Sequence, residues 1–210
     1  MAFKSPTRPI RLHRFARSGH CHRVELLLSL LSLPFQAIDV NLGKNEQKST
    51  RFVAMNAFGQ VPVIEDGGLT LADSNAILLY LAAEYGGVRW ATEAPALAAE
   101  QQRWFSVAAG PLAFGPAAAR AHRLFGSPVD LEAAQARAHA LFRVMDNHLA
   151  TRSFLLGVEL TLADVANYAY VAHAPEGGVS LDGYPHVREW LARVEATPRF
   201  VGMPKSPPEA

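Results

Sequence analysis

Ser18-Gly19-His20-Cys21 sets a hydroxyl and a thiol three residues apart at the mouth of a helix. Cys-x-x-Cys at such a place would be a redox pair. Here serine stands first, and Cys21 is the only cysteine in the chain. Three readings follow from these residues: a redox site without its attacking thiol, a different active site built on the hydroxyl, or a helix cap. Downstream, Lys48 offers a point charge, Val61-Pro62 a proline near the head of a strand, and Asp73-Ser74 an acidic residue followed by a capping serine. A helix N-terminus is also an anion site, through its free N–H groups and its dipole. A serine-hydrolase reading fails, because no G-x-S-x-G occurs and no base stands beside Ser18 in the sequence. His13, His20 and His22 flank Cys21. However, residues 20–22 are consecutive and diverge on a helix, so no metal is expected.

These groups need elements to hold them. Ile10 to Phe15 reads as a strand, Ser18 to Leu33 as a helix stopped by Pro34, and Phe35 to Val40 as a second strand. Strand, helix, strand at this spacing is a βαβ unit with parallel strands. A short helix ends near Asn56, and Phe58-Gly59-Gln60 is a turn. Val61 to Glu65 and Leu69 to Ala72 flank Asp66-Gly67-Gly68 as a hairpin. Ser74 is expected as the N-cap of a helix that runs to Tyr85.

No strand pattern is found after Glu93. Helices are expected over about 94–114 and 129–150, then from Thr161 as a capping-box variant with Asp164, and from Tyr184-Pro185 to Thr197-Pro198. The chain thus reads as an α/β half at 9–86, a linker at 87–92, an all-helical half at 93–200 and a frayed tail at 201–210.

With 20 basic and 19 acidic residues the net charge is +1, which shows no basic stripe of the kind a nucleic-acid binder carries. One cysteine excludes an internal disulfide and fits a reducing compartment. The longest apolar run, Val24 to Leu33, includes Glu25 and is too short to span a bilayer. The N-terminal stretch has no signal-peptide pattern. A cytoplasmic protein is the expectation.

The order βαβ, a proline opening the third strand, then ββα, is that of the thioredoxin fold. Followed by a helical bundle domain, it resembles the soluble glutathione transferases. The resemblance is carried by Ser18 to Val24, by Asn56 to Val63, by Ala72-Asp73-Ser74-Asn75-Ala76-Ile77 and by Thr161-Leu162-Ala163-Asp164. It covers nearly the whole chain and is of the bacterial, serine-type kind.

The resemblance implies glutathione as co-substrate and a set of roles. Val61-Pro62 would be cis, with Gln60, Val61 and Pro62 presenting backbone to the cysteinyl part of glutathione. Ser74 would hold the γ-glutamyl α-carboxylate, and Asp73 its amino group. Gln47 and Lys48 would hold the glycyl carboxylate; Gln47 stands where relatives often carry histidine. Ser18 would donate a hydrogen bond to the glutathione sulfur. Phe15, Arg17, Ser106, Gly110 and Phe114 would line a second-substrate pocket, and His20 and Cys21 would be auxiliary. Thr161 and Asp164 match a folding motif of the family.

The implied function is conjugation of the glutathione thiolate to small, mostly apolar electrophiles by a homodimer, with no nucleic-acid or membrane partner. Peroxidase or disulfide chemistry on the same site is the second enzymatic reading. A non-enzymatic glutathione-binding regulatory module is the third.

Overall fold

A computed structural model describes residues 4–87, 89–91 and 94–206. β1 (Ile10–Arg14) is an inner strand. It runs parallel to β2 (Phe35–Asp39), with Ile10 opposite Phe35, and antiparallel to β3 (Val63–Asp66), with Arg11 opposite Glu65. β4 (Leu69–Ala72) completes the sheet in the order β2-β1-β3-β4. Inner strands must be apolar on their covered positions, and Ile10, Leu12, Val63 and Ile64 have no exposed surface.

α1 (Gly19–Leu30) joins the two parallel strands, and α3 (Ser74–Tyr85) follows the hairpin and packs on α1. Val24, Leu27 and Leu28 of α1 and Ile77, Leu78 and Leu81 of α3 are fully buried, at helical spacing. α2 (Thr50–Met55) is one and a half turns long. It is held by a small apolar cluster of Phe52, Val40 and Val63, with Val61 and Ala72 packed against it. The hairpin turn sits at Gly67, φ +57°. Asp66 Oδ2 accepts from Tyr80 and Tyr85 hydroxyls at 2.9 and 2.6 Å, fastening the hairpin to the end of α3.

The second half is helical: α4 (Pro95–Ala109), α5 (Ala118–Phe125), α6 (Leu131–Leu149), α7 (Leu162–Ala172) and α8 (Pro185–Glu195). α7 is buried almost throughout. Its start is a capping box in which Asp164 closes on Thr161.

The chain divides into two compact units, Met1–Thr92 with Pro198–Pro204 and Glu93–Thr197 with Lys205–Ala210. Three features differ from the sequence reading. The helix expected over 94–114 stops at Ala109, because Gly110 leaves helical backbone at φ −110°, ψ −99°. A π-helical turn with Pro116, which has no N–H for a regular ladder, then leads into the unexpected α5.

The N-cap of α3 is Asp73, not Ser74. Asp73 Oδ1 accepts from the backbone N–H of Asn75 and Ala76, both at 2.9 Å, and Ser74 becomes the first helical residue. Finally, residues 201–206 are held rather than frayed. His22 Nε2 donates to Val201 O at 2.8 Å, Met203 is buried, and Ser206 N–H donates to Glu176 at 3.0 Å. The remaining tail, residues 207–210, positions 88 and 92 of the expected linker, and position 93 at the start of the expected helical half lie outside the described residues.

Candidate functional site

A cleft of about 690 Å³ opens in the first unit, where α1, α3 and the loops on either side of α2 come together. Ser18 stands at its α1 side. It caps the helix in extended backbone, and its Oγ accepts from Cys21 N–H at 3.4 Å. A hydroxyl that accepts in this way keeps its own proton for another acceptor. Capping and donation are therefore compatible.

His20 also lines the cleft. Burial, and then the charge of Arg23, pull its imidazole down to about 3, so it is neutral near pH 7. Cys21 points elsewhere: it is 1% exposed and does not line the cleft. Phe15 N–H donates to its sulfur at 3.4 Å, and burial pushes the thiol up to about 11. A thiol so held is kept protonated near neutral pH, and only the thiolate is reactive.

The opposite wall comes from a 3₁₀ turn, Glu46–Lys48, and the loop after α2. Lys48 Nζ donates to Phe58 O at 3.1 Å, which fixes the charge at the cleft's edge. Gln47 Oε1 is buried and has no hydrogen-bond partner among the described residues. A buried amide oxygen without a partner is costly, unless a ligand supplies a donor or the amide turns its N–H₂ toward an acceptor. Gly59 sits at φ +57°, and a Cβ there would lie 2.7 Å from Gln47 O and 2.9 Å from Lys48 Nζ. The loop thus passes too close for any side chain.

The Val61–Pro62 peptide is cis. Gln60, Val61 and Pro62 all line the cleft. At the third side, Ser74 is 5% exposed and Asp73 adopts φ +73°, ψ 120°, sparsely populated backbone for a residue with a side chain. Such outliers cluster at ligand-binding sites.

Nine of the residues read from the sequence therefore share one cleft: Ser18, His20, Gln47, Lys48, Gln60, Val61, Pro62, Asp73 and Ser74. Phe15 and Arg17 do not line it; the Arg17 guanidinium lies over the Phe15 ring at 5.6 Å. Ser106, Gly110 and Phe114 belong to the second unit and are not among its lining. Ser106 Oγ donates to Gln102 O, and Phe114 is 63% exposed.

Two polar residues that brace the cleft's lining were not singled out in the sequence. Asn56 is 7% exposed. It donates to Gln60 O at 2.8 Å and accepts from Phe58 N–H at 3.1 Å, so it shapes the loop that enters Val61-Pro62. Its only signal was an amide placed between a helix end and a glycine turn. The other is Arg23, whose partners lie far away in the chain.

Two family comparisons decide the matter. The family described as "Glutathione S-transferase, N-terminal domain" matches residues 9–83, and "Glutathione S-transferase, C-terminal domain" matches residues 111–198. The chain belongs to the glutathione S-transferase family.

Glutathione S-transferase 3 of Zea mays is 32% identical over 95% of this chain and 97% of its own. Disulfide-bond oxidoreductase YfcG of Escherichia coli is 30% identical over 88% of this chain and 89% of its own. A solved structure of a glutathione transferase family member from Pseudomonas fluorescens Pf-5, with two glutathione bound, is 27% identical. It has a TM-score of 0.79 and covers 90% of this chain and 89% of that one. The glutathione transferase fold, a four-stranded thioredoxin-like sheet with a helical domain after it, is the fold described above. No helix among the described residues is long and apolar enough to cross a membrane. No group of three or more His, Cys, Asp or Glu among them is placed to hold a metal ion.

Proposed function

We propose that this protein is a glutathione transferase that binds glutathione along the cleft of the first unit and directs its sulfur at small electrophiles. The observation that carries the reading is the convergence on one cleft of Ser18, the Gln47-Lys48 pair, cis Val61-Pro62 and Asp73-Ser74. Lys48 and Gln47 take the glycyl carboxylate. The backbone of Val61 pairs with the cysteinyl unit as a short strand would. Ser74, at the α3 N-terminus, takes the γ-glutamyl carboxylate, and the free oxygen of Asp73 faces the amino group.

The sulfur then lies beside Ser18. A free thiol ionises near ~8.5. A hydrogen bond to the charged sulfur is worth roughly 1.5–3 kcal/mol, and the α1 N-terminus adds roughly 0.3–1 kcal/mol. Together they lower the thiol pKa by about 1.5–3 units. A useful fraction is then thiolate at neutral pH without any base. The sulfur lone pair forms the new S–C bond as the electrophile's leaving group departs with its electrons, or as a double bond takes up a proton.

The relative named as a disulfide-bond oxidoreductase favours a second reading, in which the same thiolate attacks a disulfide. Burial of Cys21 means that glutathione, rather than the protein, would supply every reacting thiol. A functional homodimer fits either reading.

The test is retention on immobilised glutathione, followed by turnover with an aryl halide and with a mixed glutathione disulfide. Retention with aryl halide turnover supports conjugation. Retention with disulfide turnover alone selects the second reading. Failure to bind glutathione removes both.

A further inference from the structure

Arg23 lies on α1 with its side chain 1% exposed. Its Nη1 donates to Ser74 Oγ at 3.3 Å and to Asn75 Oδ1 at 2.9 Å, across 51 and 52 residues of chain. Ser74 lines the cleft, whereas Arg23 stands behind it. A hydroxyl carries one proton and two lone pairs. With the guanidinium proton seated on one lone pair, the Ser74 proton cannot also point at Arg23. It is left for an acceptor on the cleft side.

Asn75 holds the guanidinium by a shorter bond than Ser74 does, so Nη1 is anchored even when Ser74 is engaged elsewhere. The charge of Arg23 is also felt inside the cleft: after burial, it is the second cause that depresses His20. An arginine cannot lose that charge in a protein, and a buried charge is less screened than an exposed one.

We propose that Arg23 is a positioning residue that selects the γ-glutamyl α-carboxylate. It fixes the Ser74 hydroxyl as an acceptor toward itself and hence as a donor toward the ligand, with a permanent positive charge behind. Arg23 shares α1 with Ser18, and α1 packs on α3. One helix therefore sets the spacing between the sulfur's donor and the carboxylate's donor. This inference rests on the reading of the cleft as a glutathione site.

The test compares two ligands by titration calorimetry on the full chain. One is glutathione; the other is 4-aminobutyryl-cysteinyl-glycine, which lacks only the α-carboxylate. The wild type is expected to prefer glutathione by about tenfold or more. In Arg23→Met the preference collapses toward unity, chiefly through weaker glutathione binding. A role confined to folding would weaken both ligands alike and keep the ratio, and that result overturns the inference.

If Arg23→Met does not fold, Asn75→Ala frees the guanidinium from its shorter bond and carries the same comparison. A reduced ratio supports the inference, and an unchanged one overturns it. A wild type that binds neither ligand overturns the glutathione reading and this inference with it. A wild type that discriminates beside an Arg23→Met that discriminates equally overturns this inference alone.

Discussion

The carboxylate of Asp164 accepts the indole N–H of Trp190 at 2.8 Å, tying the first turn of α7 to α8. The same carboxylate accepts from Leu155 N–H, Thr161 N–H and Thr161 Oγ–H, each at 2.8 Å, with no exposed surface. Burial pushes its pKa up, and these donors pull against that. Asp164→Ala removes a cap and leaves buried donors unmade. A loss of roughly 3–5 kcal/mol is expected. The midpoint of urea unfolding should fall sharply while turnover per folded molecule changes little. A variant of normal stability and low specific activity would contradict the structural role.

Ser18→Ala removes the sulfur's donor and the α1 cap together. The rate of conjugation against pH is expected to shift to the alkaline side by about 1–2 units. At neutral pH kcat/KM falls by about 10–30-fold and recovers at high pH, where glutathione ionises unaided. An unshifted pH–rate profile would assign the thiolate to another donor.

Gly59 and Gly67 both have φ +57°, but only Gly59 faces close neighbours. Alanine at Gly67 should cost about 1 kcal/mol of backbone strain and leave glutathione binding alone. Alanine at Gly59 should cost more and raise KM for glutathione, because its Cβ presses on Gln47 and Lys48. Thermal unfolding and saturation kinetics on the two variants separate the effects. Equal behaviour would show that the Gly59 contact has no bearing on the site.

Glu176 accepts from Arg120 at 2.6 Å and from His173 at 2.9 Å, as well as from Ser206 N–H. Burial pushes its carboxyl up, but these partners outweigh it and bring it down to about 2. The folded value lies below the unfolded one. The stabilisation is therefore complete above the ordinary carboxylate range and is lost as pH falls through about 2. Glu176→Gln should be less stable than the wild type at neutral pH, with the gap closing on acidification. Urea midpoints at several pH values check this, and a gap that widens in acid would refute it.

Cys21 should react slowly with a thiol reagent in the native protein and rapidly once unfolded, given its burial and its raised pKa of about 11. Cys21→Ala should keep both conjugation and any disulfide turnover. Loss of disulfide turnover alone would make Cys21 a working thiol.

The sequence alone determined what depends on neighbours along the chain. The helices show as apolar spacing, although the first of them ends at Leu30, ahead of Pro34. The hairpin shows as Asp66-Gly67-Gly68, and the capping box as Thr161 and Asp164. The order of these elements was enough to suggest the family and, through it, most of the cleft. Tertiary structure decided what depends on residues far apart meeting. Arg23 reaches Ser74 and Asn75 only because α1 packs on α3. Gly59 matters only because its loop passes Gln47 and Lys48.

The same reason explains Ser18-Gly19-His20-Cys21, where spacing left three readings open. Which side chains of the first turn face the cleft depends on the neighbours packed around α1. Packing turned Ser18 and His20 to the cleft and Cys21 to the core. Local pattern carries hydrogen bonds of a few residues' span, whereas a binding site is made of contacts that exist only after the chain has folded.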